Sequence, residues 1–139
     1  MPFSTTASLI STDMDNTVRG LCRDHVDHAL TNTVTETTLD AVAIGAGTIG
    51  ATGAIHILAC GSLAGTNNTK TIRLKFGSTT ISTITQAAGT TSDWFFDAWC
   101  YNTASNAQRW DVQRNGNDVL TDSFDYTTSA EDTASTKTL

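Results

Sequence analysis

No stretch of the chain comes near the roughly twenty consecutive apolar residues that span a bilayer. The N-terminal MPFSTTASLISTD has neither the basic start nor the continuous apolar segment of a signal peptide. A membrane partner is therefore not expected, and synthesis in a cytoplasm is. Positive charge is also scarce. Eight Lys and Arg stand against fourteen Asp and Glu, leaving a formal net charge of −6. The eight are scattered, so no footprint for a polyphosphate backbone exists and nucleic acid is not expected as a partner. Cysteines number three, Cys22, Cys60 and Cys100, an odd and widely spaced set that reads as free thiols in a reducing compartment. Glu, Lys and Leu, which fill helices, are sparse, and long helices are excluded with them. Thr and Ser instead take roughly a quarter of the chain, a composition that suits pleated surfaces. With 39% hydrophobic residues in 139, the chain can bury one modest core.

The chain is organised around Leu39 to Phe76, where Leu39 to Ile44, Ala54 to Cys60 and Lys70 to Phe76 are apolar runs parted by Gly, Thr and Asn clusters. Each reads as a strand. In KTIRLKF the residues Ile72, Leu74 and Phe76 alternate with Thr71, Arg73 and Lys75, the period of two that buries one face. Ile55 and Ile57 alternate with His56, Leu58 and Cys60, and because both sets are largely apolar a central strand or a subunit contact is expected. His56 is then expected to be buried and hydrogen-bonded. Gly45, Gly47 and Gly50 spell G-x-G-x-x-G, but a dinucleotide fingerprint must open a helix. Here another turn and strand follow, so a turn with positive φ is expected.

Further along, Thr79 to Ile84 is a weaker strand in which Ile81 and Ile84 are out of step, as at a bulge. DWFFDAWCY, Asp93 to Tyr101, is the aromatic centre. Trp94, Phe96, Ala98 and Cys100 share the face expected to pack the core, while Phe95, Asp97, Trp99 and Tyr101 share the other. Trp110 and Val112 lie with Gln108 and Arg114, and Asn115-Gly116 between alternating runs signals a hairpin. The acids Asp111, Asp118, Asp122 and Asp125 read as its wet face rather than as a glycosidase pair. Cys22, His25 and His28 are metal-capable, but their spacing converges on neither a helix nor a strand. Leu21, Val26 and Leu30 are expected to pack there, and no metal, cofactor or catalytic residue is assigned.

One resemblance stands out. The T-x-T-E-T-T lead at Thr33 to Thr38, the apolar-x-A-G-T-apolar-G-x-x-G turn at Ile44 to Gly53 and the N-N-x-x-K-T-apolar-R-L-K-F-G run at Asn67 to Gly77 resemble a β-sandwich module of tailed-bacteriophage virion proteins, both head-decoration and tail-fibre proteins. Family members usually carry proline where this chain has Gly45. The resemblance implies a homotrimer on the outer capsid surface with the major capsid protein as partner, and no enzyme activity. A tail-fibre or carbohydrate-binding module is the alternative, with Trp99 and Tyr101 as its recognition surface.

The expected architecture is an all-β, antiparallel two-sheet sandwich of jelly-roll type over residues 31–139, preceded by an extended N-terminal arm over 1–30. In the arm, Phe3, Leu9, Ile10 and Val18 are either anchors on a neighbouring subunit or capsid or parts of a floppy terminus. Core or subunit packing is assigned to Ile55, Ile57, Ile72, Leu74, Phe76, Trp94, Phe96 and Trp110. The resemblance implies a further strand from near Thr133, so Ser135 to Leu139 is expected to be a strand without its continuation, either because a neighbour completes the sheet or because the chain is shorter than its relatives.

Overall fold

The computed structural model describes residues 26–30, 33–116 and 123–139. Two compact units are distinguished, Met1–Asp40 and Ala41–Leu139. In the described part of the first, Thr33, Thr35 and Thr37 bond one another over short range, with the Thr33 hydroxyl donating to the Thr35 carbonyl at 2.9 Å. Val26 and Leu30, expected to pack, are exposed there, because no described strand or helix carries them onto an apolar surface. The arm residues Phe3, Leu9, Ile10 and Val18, together with Leu21, Cys22 and His25, lie outside the described residues.

The second unit is all β and antiparallel. Its strands are β1 (Ala43–Ile44), β2 (Ala54–Leu63), β3 (Lys70–Phe76), β4 (Thr79–Gln86), β5 (Ser92–Ala104), β6 (Ala107–Asn115), β7 (Ser123–Ser129) and β8 (Lys137–Thr138). They form a four-stranded sheet in the order β2-β5-β6-β7 and two ladders, β3-β4 and β1-β8. Alternation fixes the faces. Trp94, Phe96, Ala98 and Cys100 of β5, Trp110 and Val112 of β6 and Ile55 of β2 are buried on one side of the larger sheet. Leu74 and Phe76 of β3, with Ile81 and Ile84 of β4, are buried in the hairpin laid over it. Ile57 and Ile72 are half-buried. The two layers meet where Phe76 sets its edge on Trp110, ring centroids 5.3 Å apart at 60°, a favoured geometry for an aromatic pair. The result is sandwich-like.

The β3-β4 ladder slips by one residue between Leu74 and Lys75, so Ile81 has no partner of its own, and Ile81 and Ser82 are both buried. This is the bulge that the misaligned isoleucines foretold. It aims the Ser82 hydroxyl at Asp125 Oδ2, 2.8 Å away, which also accepts from Arg114 Nε at 2.7 Å. Asp125 therefore belongs between the layers, not on a wet face. The Asn115-Gly116 turn is also corrected. Asn115 pairs with Phe95 inside β6, and the β6-β7 register ends at Arg114 opposite Ser123, so the connection is longer than two residues. The tight hairpin falls instead at Ser105 and Asn106, between Ala104 and Ala107.

The C-terminal residues are laid back over this frame. Gln108, fully buried, donates from Nε2 to the Glu131 carbonyl at 2.9 Å, and its Oε1 accepts from the Glu131 N–H at 2.9 Å. Trp110 Nε1 donates to the Ser129 hydroxyl at 2.9 Å. The Thr133 N–H donates to the Ser105 carbonyl at 2.7 Å, while the Thr133 carbonyl accepts from Gly47 at 2.9 Å. Gly47 and Gly50 have φ of 71° and 67°, as the glycine-rich turn was expected to require. Beyond it β8 pairs with β1, so the terminal strand is completed from within its own chain.

Glu131 closes the assembly. Its Oε1 accepts from the Ser78 N–H and hydroxyl, both at 2.8 Å, and from the Thr79 N–H and hydroxyl at 3.1 and 2.9 Å, while Lys137 Nζ lies 3.3 Å from Oε2. Burial alone would raise this pKa, but the hydrogen bonds from Ser78, Thr79 and Lys137 outweigh it and lower it from 4.5 to about 2. Gly77 starts the turn at φ 58°, and a Cβ there would strike the Glu131 carboxylate.

Two outcomes are expected. Gly77→Ala, strained in φ and in space, lowers urea-unfolding stability by about 2–3 kcal/mol. A carboxyl whose pKa is depressed on folding stabilises fully above its unfolded value. That contribution is thus whole above about 5, fades as pH falls through 4.5 and is gone below about 2. Glu131→Gln costs about 1–3 kcal/mol at neutral pH and flattens this acid limb, and unfolding curves at pH 7 and pH 3 check both.

Candidate functional site

The outer face of the β2-β5-β6-β7 sheet is an exposed aromatic surface. Register assembles it in rows. His56 stands opposite Trp99, Trp99 opposite Asp111 and Asp111 opposite Tyr126. Leu58, Asp97, Gln113 and Phe124 form the next row on one side, and Ala54, Tyr101, Arg109 and Thr128 on the other. Every one of these positions alternates with a residue that faces the core, so filling the core with Trp94, Phe96, Trp110 and Val112 forces this set outward. Leu58 is 70% exposed, Phe124 76%, Tyr126 59%, Trp99 43% and Tyr101 42%.

The side chains brace one another. His56 and Trp99 rings are stacked, centroids 4.4 Å apart at 12°, and Trp99 and Tyr101 lie 6.2 Å apart at 15°. A centroid distance of 4.4 Å leaves room only for face-to-face contact, so one face of the Trp99 indole is already covered. His56 Nε2 donates to Asp97 Oδ1 at 2.7 Å. On the far side Arg109 Nε donates to the Tyr126 hydroxyl at 2.7 Å, its guanidinium carbon 5.4 Å from the centre of the Tyr126 ring. A shallow groove of about 370 Å³ lies among Tyr101, Thr103, Arg109 and Asp111. An exposed contact of the His56–Asp97 kind adds little to stability, and its effect here is to fix ring orientation.

Several expectations change. β2 is the edge strand of its sheet, not a central one, and one of its two apolar faces is exposed. His56 is accordingly exposed, though hydrogen-bonded as expected. Arg109, by contrast, is held within the face by its bond to Tyr126. Trp99 and Tyr101, the proposed recognition pair, do lie together on the outer face. Ile55, Trp94, Phe96 and Trp110 lie beneath on the inner face, while Leu74 and Phe76 lie in the opposing hairpin. Leu58, Phe124 and Tyr126 join the surface of Asp97, Trp99 and Tyr101 only through strand pairing. The alternation of Phe124 and Tyr126 with Asp125 was the one local signal available for them. Cys60 is an exposed free thiol, whereas Cys100 is buried and free, its pKa pushed up to about 12 by burial, which leaves it protonated and unreactive.

Among the described residues no group of three or more His, Cys, Asp or Glu is placed to hold a metal ion, and no helix is long and apolar enough to cross a membrane. Compared with protein-family models, with curated proteins and with solved structures, the chain has no match.

Trp99→Ala and Tyr126→Ala are expected to change unfolding free energy by less than about 1 kcal/mol, since each is a surface truncation. Trp110→Ala removes a fully buried indole and is expected to cost about 3–5 kcal/mol. Urea titrations of the three variants separate outer face from core.

Proposed function

We propose that the chain is a structural protein of a bacteriophage particle, a head decoration or cement protein that binds the outside of the capsid as an oligomer. The virion setting rests on the resemblance carried by Thr31 to Gly77. The binding mode rests on the outer sheet face, which is the single observation that carries it. That face holds Trp, Tyr and Arg, the residue types that dominate binding energy at protein interfaces, together with Leu58 and Phe124. The Trp99 and Tyr101 rings are stacked and the Tyr126 hydroxyl is hydrogen-bonded before any partner arrives, so little of their side-chain freedom remains to be lost on association. The major capsid protein is the partner in this reading, and attachment is binding without chemistry, summed over several contacts. The jelly-roll form expected of the sandwich is left aside, since β5, β6 and β7 follow one another through the larger sheet as a meander.

The alternative, a receptor- or carbohydrate-binding module of a tail fibre, is favoured by Trp99 and Tyr101 lying parallel beside Asp111 and Arg109. Sugar stacking needs a free ring face, however, and His56 covers one face of Trp99.

In purified particles the chain is expected at a copy number comparable to that of the major capsid protein, measured by quantitative mass spectrometry. A handful of copies per particle moves it to the tail and supports the alternative. Trp99→Ala with Tyr126→Ala is expected to weaken attachment to stripped particles at least tenfold, and deletion of Met1 to Val18 to weaken it further if the arm is an anchor. Unchanged attachment of the double variant removes the outer face from the contact.

A further inference from the structure

Among the described residues β2 has a ladder on one side only, to β5. Its other edge offers the N–H and C=O groups of alternate residues to whatever lies beside it. Natural sheets protect such an edge by keeping it short, or by placing on it charge, proline, a bulge or an inward-pointing ionised group. β2 has none of these. It runs for ten residues, AIHILACGSL, without Lys, Arg, Asp, Glu or Pro, and its register with β5 is unbroken from Ala54 opposite Tyr101 to Leu63 opposite Ser92. The other strands differ. β7, at the opposite edge, directs Asp125 inward to Arg114. β3 carries Lys70, Arg73 and Lys75, and its partner β4 is bulged.

From this we infer that β2 pairs antiparallel with β2 of a second copy about a two-fold axis, joining two four-stranded sheets edge to edge. Charge selects this occupant. Copies of a chain at −6 repel one another wherever acidic surfaces meet, and β2 is a ten-residue stretch with no acid or base to oppose. In antiparallel self-pairing the exposed residues His56, Leu58, Cys60 and Ser62 meet only members of their own set, and Ile55, Ile57, Ala59 and Gly61 meet theirs, so no register sets like carboxylates or amines against each other. An isologous contact closes on itself at two copies, which keeps an unprotected edge from growing into a filament. The inference does not depend on the virion reading, and it replaces the three-fold oligomer that the resemblance implies with a two-fold one.

The test uses the whole chain, free of particles, by sedimentation velocity from micromolar to millimolar concentration. A species at twice the 14.7 kDa chain mass is expected, with amide exchange in 54–63 slowing as concentration rises. Leu58→Lys and Ser62→Lys stand opposite Asp97 and Asp93 within the sheet, so both keep the fold, checked by circular dichroism. Each is expected to weaken the dimer at least tenfold. Phe124→Lys, on the same face but on β7, is expected to leave it within about twofold of the parent. A monomer throughout the range or a trimer overturns the inference, and so does equal dissociation by Phe124→Lys and Leu58→Lys, which marks face-to-face packing instead. Failure of the unmodified, dimeric chain to attach to particles counts against the virion reading alone.

Discussion

The carboxylate of Glu131 is the interaction on which the arrangement of the second unit turns. One oxygen accepts four hydrogen bonds from the Ser78-Thr79 end of the β3-β4 turn, and the other meets Lys137 at the start of β8. The backbone of the same residue is held by Gln108 of the larger sheet. A single position therefore ties both layers and the terminal ladder together. A buried carboxylate is expensive unless its lone pairs are filled, and here filling them requires all three elements to be in place at once. Gly77 follows from the same requirement, since only a residue without Cβ lets the turn approach the carboxylate.

Period-two alternation then divides the aromatic residues into two populations with different duties. Trp94, Phe96, Trp110 and Phe76 fill the space between the layers and set stability. Trp99, Tyr101, Phe124 and Tyr126 are placed outside by the same pleat, where they contribute little to folding and much to the character of the surface. Asp97 and Arg109 stiffen that surface. It combines rigid apolar area with hydrogen-bonding edges.

Local patterning made the strands legible. KTIRLKF, DWFFDAWCY and the misfit between Ile81 and Ile84 each contained their own answer, because alternation and its interruption are properties of neighbouring residues. Features set by pairing were not legible. Whether β2 is central or at an edge depends on what lies beside it, and its two apolar faces suggested cover on both sides. The role of Asp125 depends on a bulge in β4 and an arginine in β6. Asn115-Gly116 is the strongest short hairpin signal in the chain, yet it was overridden by the length of the β5-β6 ladder, which carries Asn115 to Phe95. The ring stack was half visible: Trp99 and Tyr101 are two residues apart, but His56 reaches them from a strand forty-one positions away from its partner Asp97.

The β1-β8 ladder has a mechanical meaning. Val42 and Leu139 exchange backbone hydrogen bonds in both directions, at 3.2 and 2.9 Å, so the backbone enters and leaves the unit side by side. Tension applied between these two points acts across the ladder rather than along it and opens its bonds one after another, while the larger sheet carries no load until they are gone. The short ladder is thus a sacrificial zip, and a pull on the ends of this unit is felt first at Lys137 and Thr138, next to the carboxylate of Glu131 that holds the layers together.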